Sequence, residues 1–64
     1  MNFTIANNVL VTINVGMKFR FVLGIIPQFD GVWMDVKNVD EKYVYFWDGA
    51  QESACDSILI AEVQ

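Results

Sequence analysis

The sequence predicts an all-β fold, either a small antiparallel barrel or a strongly bent sheet of five to six strands. Three observations support this prediction. Apolar residues alternate with a period of two from Val9 to Phe46, the alternating positions are rich in Val, Ile, Phe and Tyr, and turn-forming residues separate the runs. Short strands joined by turns are typical of small antiparallel β proteins. The length of 64 residues fits one domain, residues 1–64.

The N-terminal part predicts two short strands and a turn. Residues 3–6 predict an edge strand, and Asn7 with Asn8 predicts a turn because Asn tolerates the left-handed backbone conformation. The strand after this turn places four apolar side chains on one face: Val9, Val11, Ile13 and Val15.

A third strand is expected after Gly16, with Met17, Phe19, Phe21, Leu23 and Ile25 on one face. The opposite face changes from polar to apolar, so residues 22–26 are apolar on both faces, with Gly24 as the site of a bend. A chain this short cannot cover such a strand by itself. The pattern therefore predicts a homo-oligomer, and closed dimers are the commonest form.

Residues 27–31, PQFDG, predict a turn, and residues 32–47 predict a β-hairpin. A three-residue loop centred on Asp40 would pair Val36 with Val44 and keep the apolar side chains together, whereas a two-residue turn would mix the faces. The expected inner face is Val32, Met34, Val36, Val44 and Phe46. The expected outer face pairs Trp33 with Trp47, Asp35 with Tyr45, and Lys37 with Tyr43.

The C-terminal part predicts one short helical turn within residues 51–57 and a last strand at residues 58–63. Residues 30–60 resemble the core of a Tudor or SH3-like small barrel. The matching positions are Asp30, Trp33, Val36, Val44, Phe46, Asp48, Gly49, Ile58 and Ile60. This resemblance implies an SH3-like barrel and a binding role. The segment GAQES stands where the pattern usually has Gly-Asn after the aspartate.

Composition argues against several function classes. The net charge is −4, and the only bases are Lys18, Arg20, Lys37 and Lys42, which disfavours direct contact with nucleic acid or an anionic membrane. The chain has one cysteine and no histidine, so we expect no disulfide, structural metal or cofactor. We expect no targeting segment and a cytoplasmic location, because a lone free cysteine suits a reducing compartment.

The outer hairpin face is the main candidate binding site, and its residues are Trp33, Tyr43, Tyr45, Trp47 and Lys37. Trp and Tyr dominate protein-binding hot spots, and their rings can also enclose a cation, as the Tudor resemblance would imply. The same residues could instead form a second hydrophobic layer, covered by the N-terminal strand or by a second subunit.

A second candidate is an acidic surface at Asp48, Glu52 and Asp56, which would share one edge of a helix. A solvated acidic face explains this spacing better than a Ca²⁺ site that includes Asp30, because the spacing is not that of an EF-hand loop. We expect no catalytic residues and no enzyme activity. Ser53, Cys55 and Ser57 are nominal nucleophiles, and no histidine is present to serve as their base.

Two functions remain open. One is a non-catalytic protein-interaction module that self-associates and docks a protein partner through its aromatic face or an apolar strand edge. The other is a small acidic inhibitor or accessory protein, of the kind carried by phages and mobile elements, that occupies the basic nucleic-acid-binding surface of its target.

Overall fold

The computed structural model describes residues 1–64 and confirms the all-β class. It contains three short 3₁₀ helices, at Ala6–Asn8, Pro27–Phe29 and Ser57–Leu59. None of these helices is long or apolar enough to cross a membrane. The strands number seven instead of five or six. They are β1 (Asn2–Ile5), β2 (Val9–Thr12), β3 (Lys18–Phe21), β4 (Met34–Val39), β5 (Val44–Trp47), β6 (Glu52–Cys55) and β7 (Ile60–Val63).

The strands form two antiparallel sheets. β1 and β2 pair only with each other, and the other five strands lie in the order β6-β5-β4-β3-β7. Of the two predicted forms, the closed barrel is not present. The N-terminal strands form their own hairpin, and β6 and β7 remain the two unjoined edges of the larger sheet.

The β1–β2 hairpin turns at two consecutive asparagines. Asn7 and Asn8 have φ values of 62° and 59°, the left-handed conformation that Asn accepts more readily than most residues. Ile5 faces Val9 across this turn. The predicted turn at these two residues is therefore confirmed.

The core lies between the hairpin and the five-stranded sheet. Phe19, Phe21 and Phe46 pack edge to face with ring centroids 5.1–5.8 Å apart, and Phe29 stacks on Phe21 at 6.2 Å. Edge-to-face packing adds about 0.5–1.5 kcal/mol per pair beyond the burial of the rings. The buried apolar residues are Phe3, Ile5, Ile13, Phe19, Phe21, Met34, Val36, Val44, Phe46, Cys55 and Ile60.

The long third strand predicted through Ile25 ends at Phe21. After Phe21 the chain turns, with Gly24 at φ 87° and its N–H donated to the Asp30 carboxylate. Residues 22–26 are therefore not a strand that is apolar on both faces, and Leu23 is 73% exposed on a turn. The strand on which the dimer prediction rests is therefore wrong, because β3 ends at Phe21 and a turn follows it. The dimer itself stays a prediction.

The predicted β4–β5 register is also wrong. Val36 faces Phe46 and Val39 faces Val44, so the loop has four residues, 40–43, and the register shifts between Val36 and Asn38. A β-bulge inserts an extra residue and changes which residues are opposite each other. Because the bulge lies at Lys37, the predicted cross-strand pairs of the outer face do not form. Val32, predicted to face inward, is 44% exposed.

The helical turn predicted within residues 51–57 is mostly β6, whose four residues pair with β5 from Val44–Cys55 to Trp47–Glu52. The helical turn does precede the last strand, but it is the 3₁₀ helix Ser57–Leu59. Asp56 caps this helix by accepting the Ile58 N–H at 3.1 Å. The cap places the turn C-terminal to the Ala and Gln residues that suggested it.

Candidate binding site

The four candidate aromatic side chains lie outside the core, in two separate groups. Trp33 and Trp47 line one cleft, and Tyr43 and Tyr45 pack together near the β4–β5 loop, with ring centroids 6.4 Å apart. Trp47 is 49% exposed, and the other three are half-buried. The single ladder expected along the hairpin is therefore divided, because the bulge displaces one strand relative to the other.

Trp33 immediately precedes β4 and is held by a neighbouring cation. The Arg20 guanidinium lies 4.6 Å from the centroid of the Trp33 ring, and it also forms an ion pair with Glu62 of β7. A planar guanidinium stacks well on an indole face. This contact fixes one face of Trp33 on β3 and leaves the indole at the wall of the cleft.

Trp47 ends β5 and forms the other aromatic wall. The cleft is shallow and broadly open to solvent, with a volume of about 270 Å³. Its lining residues are Phe29, Val32, Trp33, Met34, Asp35, Trp47, Asp48 and Gly49. Because strand side chains alternate, Phe46 enters the core while the next residue, Trp47, is left on the outside.

Two carboxylates line the cleft, and the structure keeps both ionised. Asp35 accepts a hydrogen bond from Lys18 Nζ at 2.8 Å, which lowers the pKa of Asp35. The pKa of Asp48 is lowered first by the Ser53 hydroxyl, which donates at 2.6 Å, and then by the Gln51 and Ala50 N–H groups. The cleft therefore combines exposed aromatic surface with negative charge.

The two tyrosines stabilise the β4–β5 loop. The Tyr45 hydroxyl donates to Asp40 Oδ2 at 2.5 Å, and Asp40 Oδ1 accepts the N–H groups of Lys42 and Tyr43. These bonds lower the pKa of Asp40 and raise that of Tyr45. The Lys42 ammonium lies 5.6 Å from the Tyr43 ring centroid. The tyrosine pair thus has a local structural role. The expected contact of Lys37 with Tyr43 does not form, because Lys37 is exposed at the bulge.

The predicted acidic helix edge does not exist, because its three residues lie in different elements. Asp48 is in the turn before β6, Glu52 begins β6, and Asp56 caps the last 3₁₀ helix. No three His, Cys, Asp or Glu side chains come together where they could hold a metal ion.

The nominal nucleophiles have ordinary structural partners. The Ser53 hydroxyl donates to Asp48, and the Ser57 hydroxyl donates to the Thr4 carbonyl at 2.7 Å. Cys55 is buried, and burial raises the pKa of its thiol to about 12. The Cys55 thiol is therefore protonated at neutral pH, as the interpretation of Cys55 as a small buried hydrophobic residue suggested.

No protein-family model, curated protein or solved structure matches this chain. The fold defines an all-β protein of two antiparallel sheets.

Sequence reasoning placed neither Arg20, Phe29 nor Val32 at this site. Phe29 carried a usable signal, since it is a large aromatic residue inside the turn-rich segment PQFDG. Arg20 carried none, because its contact with Trp33 joins residues 13 positions apart through β3–β4 pairing.

Proposed function

We propose that the protein is a non-catalytic protein-interaction module of the cytoplasm that docks a partner through the cleft between Trp33 and Trp47. The supporting observation is the half-exposed Trp47 side chain beside an open cleft with a second Trp on its wall. Contiguous exposed apolar surface marks interaction sites, and Trp is enriched in protein-binding hot spots.

The chemistry of the cleft favours a partner segment that carries Lys or Arg beside apolar residues. Indole faces attract cations, and the Asp48 carboxylate has no basic side chain paired with it. Phe29 and Val32 offer apolar contact on the same wall. The resemblance of residues 30–60 to Tudor and SH3-like domains, which implies a binding role, supports the same proposal.

Affinity capture from the native host, followed by titration of the captured segment, tests this function. Both tryptophans of the chain line the cleft, so tryptophan-selective fluorescence reports on the cleft alone. We expect Trp47→Ala to lose the captured partner while it still folds and melts in one cooperative transition. Leu23→Ala is the matched control, because Leu23 is exposed on a turn and does not line the cleft.

Equal capture by Trp47→Ala and the unmodified protein would contradict the proposal. So would a captured segment that changes neither tryptophan signal on titration, since that segment would bind elsewhere.

The second candidate is the acidic inhibitor of a nucleic-acid-binding protein, as found in phages and mobile elements. Lys18 and Arg20 both form ion pairs, while six of the eight carboxylates do not. Charge mimicry weakens steeply with salt, whereas apolar docking does not. We expect Glu52→Gln with Asp56→Asn to abolish binding in this second case and to have little effect on the cleft.

A further inference from the structure

We propose that the free edge of β2 pairs with β2 of a second copy, in antiparallel register about Val11. This inference concerns a surface other than the cleft. It places self-association on the N-terminal hairpin instead of on residues 22–26, where the sequence suggested it.

The hydrogen-bond pattern of the hairpin shows which backbone groups are free. Met1 and Ile13 exchange hydrogen bonds in both directions, at 3.0 and 2.8 Å. Bonded pairs in an antiparallel ladder alternate, so Val11 and Val9 also point their backbone groups at β1. The N–H and C=O groups of Leu10 and Thr12 therefore point to the open edge of β2.

This edge matches a copy of itself. When Leu10 faces Thr12 of the second copy and Thr12 faces Leu10, four backbone hydrogen bonds form around a two-fold axis at Val11. Registers shifted by two residues would use Asn8 or Asn14 instead. The backbone of Asn8 has the left-handed conformation, which does not fit a strand. The Asn14 N–H already donates to the Met17 sulfur at 3.1 Å, so it is not free to pair. The register centred on Val11 is the one that avoids both.

The side chains of the edge also favour a second copy. Leu10 is 71% exposed and Val9 is 48% exposed, and no charged residue or proline blocks β2. Residues 1–17 contain no charged side chain, so β2 of each copy brings no carboxylate of its own segment to the pairing. The pairing would turn two two-stranded sheets into one four-stranded sheet.

The dimer must be weak. A stable interface buries about 800 Å² per partner, about a fifth of the 3983 Å² exposed by this protein. A four-residue strand covers less than that. We therefore expect dissociation in the range of about 10 µM to 1 mM.

Sedimentation equilibrium over that concentration range tests the proposal with a matched pair of variants. Leu10 and Leu23 are the same residue type with nearly equal exposure, and each is replaced by Lys in one of the two variants. We expect Leu10→Lys to weaken dimerisation about tenfold or more and Leu23→Lys to leave it unchanged. In hydrogen exchange, the Leu10 and Thr12 amides should gain protection as concentration rises, while the Val11 amide is protected throughout.

A monomer at about 1 mM would overturn the proposal. So would a dimer that tolerates Leu10→Lys, a dimer that Leu23→Lys disrupts, or assembly that continues past two copies, because a two-fold strand pair closes on itself. Trp47→Ala should dimerise normally, which separates this result from failure of the cleft to bind a partner.

Discussion

At the scale of single residues, aspartate closes the turns of this protein. Asp40, Asp48 and Asp56 each accept backbone N–H groups two or three positions further along the chain. This is the usual way in which an Asp side chain mimics a turn of backbone. These aspartates therefore have local structural roles. The even spacing of Asp48, Glu52 and Asp56 did not indicate this, because it predicted a single helix edge.

Acid should destabilise the protein through these turns. The pKa values of Asp35, Asp40 and Asp48 lie below the ordinary 3.8 in the folded state, so the unfolded chain binds protons more readily. Their contribution is complete above about pH 3.8 and is lost as pH falls through the lower folded-state values. We expect unfolding free energies to fall with acid over this range and Asp40→Asn to reduce the slope. An unchanged slope in that variant would contradict the prediction.

Cys55 should resist thiol reagents in the folded protein. Its side chain is 7% exposed and its thiol pKa is raised to about 12, so little thiolate is present. We expect modification at about pH 8 to be far slower than that of the same chain in denaturant. Rapid labelling of the native protein, at the rate of a small free thiol, would show that β6 opens readily.

At the scale of elements, sequence alternation predicted the faces of β4 and β5 but not their register. Met34, Val36, Val44 and Phe46 are all buried, as period-two spacing indicated. The bulge at Lys37 could not be predicted, because an extra residue in one strand leaves most of the alternation intact. The same bulge divides the aromatic face into two groups. Trp33 and Trp47 remained together beside the cleft, while the expected partners of Tyr43 and Tyr45 were lost.

Neighbouring residues on β5 should respond very differently to truncation. Phe46 is buried among aromatic rings, so Phe46→Ala should cost about 3–5 kcal/mol of unfolding free energy. Trp47→Ala should cost about 1 kcal/mol or less, because its side chain is half exposed. Urea unfolding of both variants measures this difference. Comparable losses would mean that Trp47 belongs to a second core layer.

At the scale of the whole molecule, charge is divided along the chain. Residues 1–17 contain no charged side chain, and the remainder contains all twelve. The two strands of the N-terminal hairpin therefore carry no charged side chain of their own. The sequence predicted the all-β class, and the need for a partner stays a prediction. It did not predict the separate sheet, because β1 and β2 alternate just as the other strands do.

The charge distribution also bears on nucleic acids. Of the four basic side chains, only Lys37 and Lys42 form no ion pair, whereas six carboxylates form none. We expect no binding of single- or double-stranded DNA or RNA at physiological salt. Gel-shift measurements check this. A shift that weakens as salt rises would contradict it, since that dependence is the sign of phosphate contacts.

The bond between Ser57 and Thr4 has a consequence for synthesis of the chain. The Ser57 hydroxyl reaches the Thr4 carbonyl across 53 positions, and β1 packs against the 3₁₀ helix that Ser57 begins. The first hairpin can form while the ribosome is still translating, but Phe3 and Ile5 lack part of their cover until residues 57–63 emerge. We expect chains arrested before Ser57 to be cut near Phe3 by protease, and full-length chains to resist. Equal resistance of the arrested chains would mean that the hairpin docks without its C-terminal partner.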